Sequence, residues 1–292
     1  MNKLISNPIT KSDLEEYLNN YSDFSFELRV LKKFVDLGLE CSHGGTYEDP
    51  ITGKTRQFDI RALLQKEYVR VHLSIECKNI RENFPLLVHC LKRKVNESYN
   101  ELILSHKPQN KIQQNGNILI TSPPAFQESS LSIRVLQHSL YPKDHYVAKS
   151  SDQVGRRQND REITSTDEKV FEKISQAINS AVDLISEAHY LDTSISPSYL
   201  TFVCPVLVVP DLFLWQAKYS DDGAQVGEPD QIKHISYYIG KDWTVGKINS
   251  LNYTLSHLEI VTYSEIKNFV EKYLGDYIEL CIAVFNRGAK FL

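Results

Sequence analysis

The stretch from Val69 to Cys77, followed by Lys78, Asn79 and Ile80, constrains the fold of this chain more than any other. Side chains two apart on an extended strand share a face, so Glu76 and Lys78 point one way while Ile75 and Cys77 point the other. Leu73, Ile75 and Ile80 make the segment apolar enough for a central strand, where charged side chains need a reason. Phe58, Asp59 and Ile60 read as part of a second extended segment, and a chain reversal between Gln65 and Val69 pairs the two. Asp59 then meets Glu76 and Lys78 on a common surface.

Two carboxylates held together are costly unless a cation neutralises them, and hard divalent ions such as Mg2+ favour carboxylate and carbonyl oxygens. A lysine beside them places positive charge where a phosphate would sit. Such a set would polarise a phosphoryl oxygen, lower the pKa of a bound water and stabilise the charge developed in displacement. Two plainer readings stand beside it. Asp59 would cap a turn while Glu76 and Lys78 form an exposed same-face ion pair worth about 0–1 kcal/mol; or the two acids would serve as a metal-free acid–base pair acting on a sugar.

Asp59 followed by Glu76-Cys77-Lys78 at the end of an apolar strand resembles the signature of the PD-(D/E)xK nuclease superfamily, with Phe58 in place of the proline. The resemblance covers about residues 20–125. It implies an α/β protein of restriction-endonuclease-like fold, a mixed sheet flanked by helices. It also implies Mg2+ or Mn2+ as cofactor, with Asp59, Glu76 and the Cys77 backbone carbonyl as metal ligands. Lys78 would orient or activate the attacking water, and Glu27, on the first long helix, would bind or steer the ion. The implied activity is hydrolysis of nucleic-acid phosphodiesters, DNA before RNA because most of the family acts on DNA. The alternative is a nuclease-like scaffold that binds nucleic acid or a protein partner without cutting. No separate DNA-binding domain is visible, so target choice falls to a homodimer or a partner subunit, and the small stand-alone bacterial members suggest an anti-phage defence effector.

Thr52-Gly53-Lys54-Thr55 imitates the end of a phosphate-binding loop, but that loop needs a glycine where this chain has Glu48. Asp49, Pro50 and Gly53 are turn residues instead. Lys54, Arg56 and Arg61 flank the resulting hairpin and are candidate contacts to a phosphate backbone. The net charge of −4 is unlike that of a general DNA-coating protein. Between Lys54 and Lys111, however, twelve Lys and Arg stand against six Asp and Glu, so the positive excess falls on the candidate site's own segment.

At 292 residues and 41% hydrophobic content the chain can bury a large core. No signal-like apolar run opens it, and no stretch approaches the roughly 20 apolar residues of a membrane span; the expectation is a cytoplasmic protein without a membrane partner. Cys41, Cys77, Cys90, Cys204 and Cys281 lack zinc-ligand or disulfide spacing and read as small buried residues.

Periodicity predicts helix over 14–37, interrupted at Ser22 and Asp23 and ended by Gly38, then strands near 39–41, 56–64 and 69–77. It next predicts a helix from Pro85 to about Ser105 and a strand over 117–121. Residues 122–166 read as irregular, with Lys149 to Ser151 and the Arg156-Arg157 patch in a loop. A capping box of Ser165 and Glu168 opens a helix through Ile185. Strands over 200–209 and 212–219 form a hairpin about Pro210 and Asp211. Further strands fall at 234–239 and 258–262, with a helix capped at Ser264 and a last helix over 277–285. The alternation favours one domain over 1–292, with a core at about 20–125 and a C-terminal α/β elaboration at about 165–292. Trp215, Tyr237 and Tyr238 read as sheet and core residues rather than base-stacking ones.

Overall fold

In the computed structural model, which describes residues 7–20, 22–105, 112–114, 117–119, 130–157, 159–166, 168–189, 199–246 and 250–288, the Val69 segment is a strand inside a mixed sheet buried on both faces. Two helices open the chain, α1 (Lys11–Asn20) and α2 (Phe24–Asp36), separated where the interruption was expected. Gly38 follows α2 with φ +85, the left-handed conformation that glycine adopts at least cost. Strand β1 (Glu40–His43) leads to a short hairpin of β2 (Thr46–Glu48) and β3 (Thr55–Gln57), then to β4 (Ile60–Lys66) and β5 (Val69–Cys77). β4 runs antiparallel to both β1 and β5, with Ile60 opposite Ile75.

The chain then departs from its periodicity. The segment expected as helix from Pro85 to Ser105 is two strands, β6 (Leu86–Lys92) and β7 (Asn100–Ser105), joined by a 3-10 turn. In β6 burial alternates strictly, Leu86, Val88 and Cys90 inward, and a short apolar run of this kind suits a buried strand as well as a helix. What decides is pairing, since β6 lies between two partners. After the small antiparallel pair β8 (Ile112–Gln114) and β9 (Asn117–Leu119), the stretch expected to be irregular holds β10 (Leu131–Val135), β11 (Tyr146–Arg156) and β12 (Ile163–Thr166). β11 pairs with β6 along its length through a bulge at Ala148 to Ser150. The expected strand end at 120–121 lies outside the described residues, as does the Glu168 side chain of the expected capping box; Ser165 itself sits in β12.

Helix α3 (Glu168–His189) crosses from there to β13 (Tyr199–Val209). β13 is parallel to β5 over Leu200–Val208 and fully buried. Strand β14 (Leu214–Lys218) does not fold back on β13 as a hairpin; it runs parallel to β6, with the two-residue β15 (Asp230–Gln231) beyond it. Leu212, at φ 70, re-aims the chain between them. β16 (His234–Val245) and β17 (Leu251–Thr262) are about twice the expected length and form the hairpin instead. The C-terminal helical run comprises α4 (Ile266–Asn268), a π-helical turn over Phe269–Leu274 and α5 (Gly275–Gly288). Ser264 supplies no side-chain cap; its amide donates to Asp211 Oδ1 at 2.8 Å.

The main sheet has thirteen strands in the order β1-β4-β5-β13-β17-β16-β11-β6-β14-β15, with β7 beside the start of β13, β10 on β7, and β12 on β11. Alternation in β5 sorts its two faces. Val71, Leu73, Ile75 and Cys77 pack with Phe26, Val30 and Phe34 of α2 and with Phe269, Leu274 and Ile278 of the C-terminal run. Ser74 and Glu76 face the other way, toward α3, where Ser74 Oγ donates to the Ala177 carbonyl at 2.9 Å. Burial of both faces is what a parallel centre requires. No described helix is long and apolar enough to cross a membrane.

Candidate active site

Asp59 sits just before β4, where the chain enters the strand. Its carboxylate replaces a rung of the β4–β5 ladder: Cys77 N donates to Asp59 Oδ2 at 2.8 Å, and the Asp59 amide donates to Glu76 Oε1 at 3.3 Å. An extended residue turns its N–H and C=O to the same neighbouring strand, so the Cys77 carbonyl belongs to the Asp59 flank as well. The Cys77 thiol is fully buried and held well above its ordinary value by that burial, which leaves it inert.

The expected convergence of Asp59 and Glu76 is present, but the cation between them is Lys173, from the first turns of α3. Its ammonium donates to Asp59 Oδ1 at 3.0 Å, to Asp59 Oδ2 at 2.7 Å and to Glu76 Oε2 at 2.9 Å. The Glu76 side chain is 1% exposed. Burial first, and the neighbouring Asp59 charge second, push its carboxyl up to about 8, while Lys173 acts in the opposite direction. Burial alone would lower the Lys173 ammonium, but the two carboxylates outweigh it and hold the group firmly protonated.

Lys78 is directed elsewhere. Its ammonium lies 2.7 Å from Asp23 Oδ2, and the other oxygen of Asp23 accepts from the Asn79 amide at 3.1 Å. Asp23 precedes α2, so this pair ties the end of β5 to the start of that helix. Glu27, in the first turn of α2, lies 3.7 Å from His43 Nε2. Burial raises its pKa, and the charge of Asp59 raises it further. Among the described residues, no three His, Cys, Asp or Glu side chains form a ready metal cage.

The three basic residues of the hairpin separate. Arg61 turns inward: it donates to Asp183 at 2.7 Å, to Glu187 at 3.0 Å and to Ser180 Oγ at 3.2 Å on α3, and covers the Phe58 ring at 4.4 Å. Only 11% of its side chain is exposed, so it joins β4 to α3 and offers little to a ligand. Lys54 and Arg56 remain on the exposed hairpin, with Arg56 3.9 Å from Asp49. Asp49 accepts from the Ile51 and Thr52 amides and from Asn179, which fastens the turn to α3. Lys149 is also engaged, 2.7 Å from Glu97 and over the Tyr238 ring.

Lys173 escaped the sequence reading because it lies over a hundred residues from Asp59. Its signal was nevertheless present. The buried stripe of α3 includes Val170, Ile174, Ala177 and Ala181, and Lys173 falls within it, three residues after Val170 and four before Ala177. A lysine within a core-facing stripe needs a buried anion. Comparison with protein-family models, curated proteins and solved structures returns no match.

Proposed function

We propose that this chain is a metal-dependent nuclease of restriction-endonuclease-like fold, acting on DNA in preference to RNA. The observation that carries the proposal is the pair of carboxylates, Asp59 and Glu76, sharing one cation at the end of a buried central strand. The order of parts supports it: a helix bearing Glu27, an antiparallel strand pair bearing Asp59 and Glu76, then a long helix covering the site. That long helix is α3, reached only after seven intervening strands.

The donor set suits a hard cation. Lys173 is a stand-in for it, three carboxylate oxygens lying within 3.0 Å of its ammonium. Mg2+ is commonly held by one or two carboxylates with water and substrate phosphate completing its shell, so two acids suffice without a full protein cage. Asp59 and Glu76 would hold Mg2+ or Mn2+, with the Cys77 carbonyl and Glu27 at its margin. A bound ion would supply Lewis acidity and a more acidic water. The chain's own groups do the rest. Buried Glu76 places carboxyl oxygens in a site of low polarity, the Cys77 amide fixes the rotation of Asp59, and the Lys78–Asp23 pair holds α2, and with it Glu27, against the strand end. A homodimer or partner subunit would select the target, and a cytoplasmic anti-phage effector is the setting we favour.

Incubation of the purified protein with plasmid, linear DNA and RNA, with Mg2+, Mn2+ or EDTA, tests this directly. Metal-dependent cleavage is expected, and its absence on all three substrates would count against the nuclease reading. A second reading, a scaffold that binds without cutting, draws on the fully ion-paired state of both lysines. It predicts retention of nucleic acid with no scission under any metal.

A further inference from the structure

Resting on the nuclease reading, we propose that Lys173 is the site's exchangeable cation: a divalent ion gains Asp59 and Glu76 only by displacing its ammonium, so α3 controls loading of the site. Three features of the geometry support exchange over a fixed structural ion pair. Among the described residues the ammonium makes its hydrogen bonds to the same two side chains that would ligate the metal, and none to α3 or to a backbone carbonyl. Its side chain is 19% exposed, unlike the wholly buried Glu76, so the residue that must leave borders solvent while the glutamate beneath it does not. Lysine also joins a compact charge to a flexible stem with no preference for one bidentate geometry, which lets it withdraw without moving its helix.

The helix itself is anchored independently. Ser74 bonds the Ala177 carbonyl, Arg61 bonds Asp183 and Ser180, and Asn179 bonds Asp49, all one to three turns further along α3. Release of the ammonium therefore leaves the scaffold in place. The other lysine is unsuited to this part, because its ammonium pairs with Asp23, ahead of α2, and not with Asp59 or Glu76. Once withdrawn, the Lys173 ammonium stands at the edge of the acid pair, where an incoming phosphate would meet it.

Mn2+ affinity measured by calorimetry on the full chain without nucleic acid tests the exchange separately from cleavage. Relative to wild type, Lys173→Gln should bind Mn2+ about tenfold more tightly, and Lys173→Arg, whose fork grips two carboxylates at once, should bind more weakly. Lys267→Gln, which removes an exposed charge on the C-terminal helical run, should leave the affinity within twofold. Equal or weaker binding by the Gln variant, or equal or tighter binding by the Arg variant, overturns the proposal. The Arg variant keeps the charge and decides the matter alone should the Gln variant fail to fold. If wild type and Asp59→Asn bind Mn2+ alike, the ion lies elsewhere and both readings fall. If the affinities order as expected but no nucleic acid is cut, the exchange stands and the nuclease reading fails.

Discussion

Two glutamates, Glu76 on β5 and Glu259 on β17, are wholly buried in the same sheet, one strand apart, and they are buried in different ways. Glu259 lies on the face covered by the C-terminal helical run. It accepts from His234 at 2.7 Å, from Ser236 at 3.1 Å and from the Tyr273 hydroxyl at 3.3 Å, the last from the π-helical turn. Its donors come from several directions, and among the described residues no second acid is one of its hydrogen-bond partners. Glu76 faces α3 beside a second acid, and the two depend on one lysine. A buried carboxylate surrounded by donors is a fastening. A buried carboxylate set against another acid is an arrangement that stability alone does not favour, and it is the better candidate for chemistry.

The sharpest way to break this comparison is through activity. Asp59→Asn and Glu76→Gln are each expected to lower plasmid cleavage in Mn2+ by about a thousandfold, since groups acting as a unit lose nearly everything with one member. Glu259→Gln should stay within a few-fold of wild type at a temperature where it is folded. Cleavage by both site variants at wild-type rates would remove the assignment.

Stability should reverse that order. Glu259→Ala strands His234, Ser236 and Tyr273 without their acceptor and should cost about 3 kcal/mol in urea unfolding. Glu76→Gln replaces a buried carboxyl set against a second acid with a neutral group of the same shape and should cost under about 1 kcal/mol, or stabilise.

The pH profile sharpens the contrast further. The folded-state pKa of Glu76 is raised to about 8 from an ordinary 4.5, so its contribution is complete below 4.5 and is lost as pH rises through about 8. Wild type should therefore lose stability relative to Glu76→Gln between these values, at up to about 1.4 kcal/mol per pH unit. Parallel profiles would mean that Lys173 fully offsets the burial.

A smaller effect is expected from metal itself. Mn2+ at ten times its dissociation constant should stabilise wild type by about 1.4 kcal/mol, read as a rise in melting temperature, and Asp59→Asn should blunt the rise. Smallest should be the exposed hairpin: Lys54→Ala and Arg56→Ala should each weaken DNA binding a few-fold and reduce the slope of log affinity against log salt by about 1. Arg61→Ala, by contrast, should act on stability through Asp183 and Glu187 and leave that slope unchanged.

The local parts of this architecture were legible in the chain. α2 with its core-facing Phe26, Val30 and Phe34, the β4–β5 reversal and the apposition of Asp59 with Glu76 follow from spacings of two and near four, because near neighbours in sequence have few ways to meet. The turn held by Asp49 and Gly53 was equally readable. What the sequence left open depends on partners far along the chain. Leu86 to Cys90 becomes strand because β11 and β14 flank it, and Val209 to Leu214 separates two strands because β5 and β17 claim β13. The destinations of three cations were likewise tertiary decisions. Lys78 goes to Asp23, Arg61 to α3 and Lys173 to the acid pair, since a long flexible side chain takes the anion that packing brings within its reach. The sequence alone determined that two acids would meet at the end of a buried strand, and tertiary structure alone decided which lysine would neutralise them.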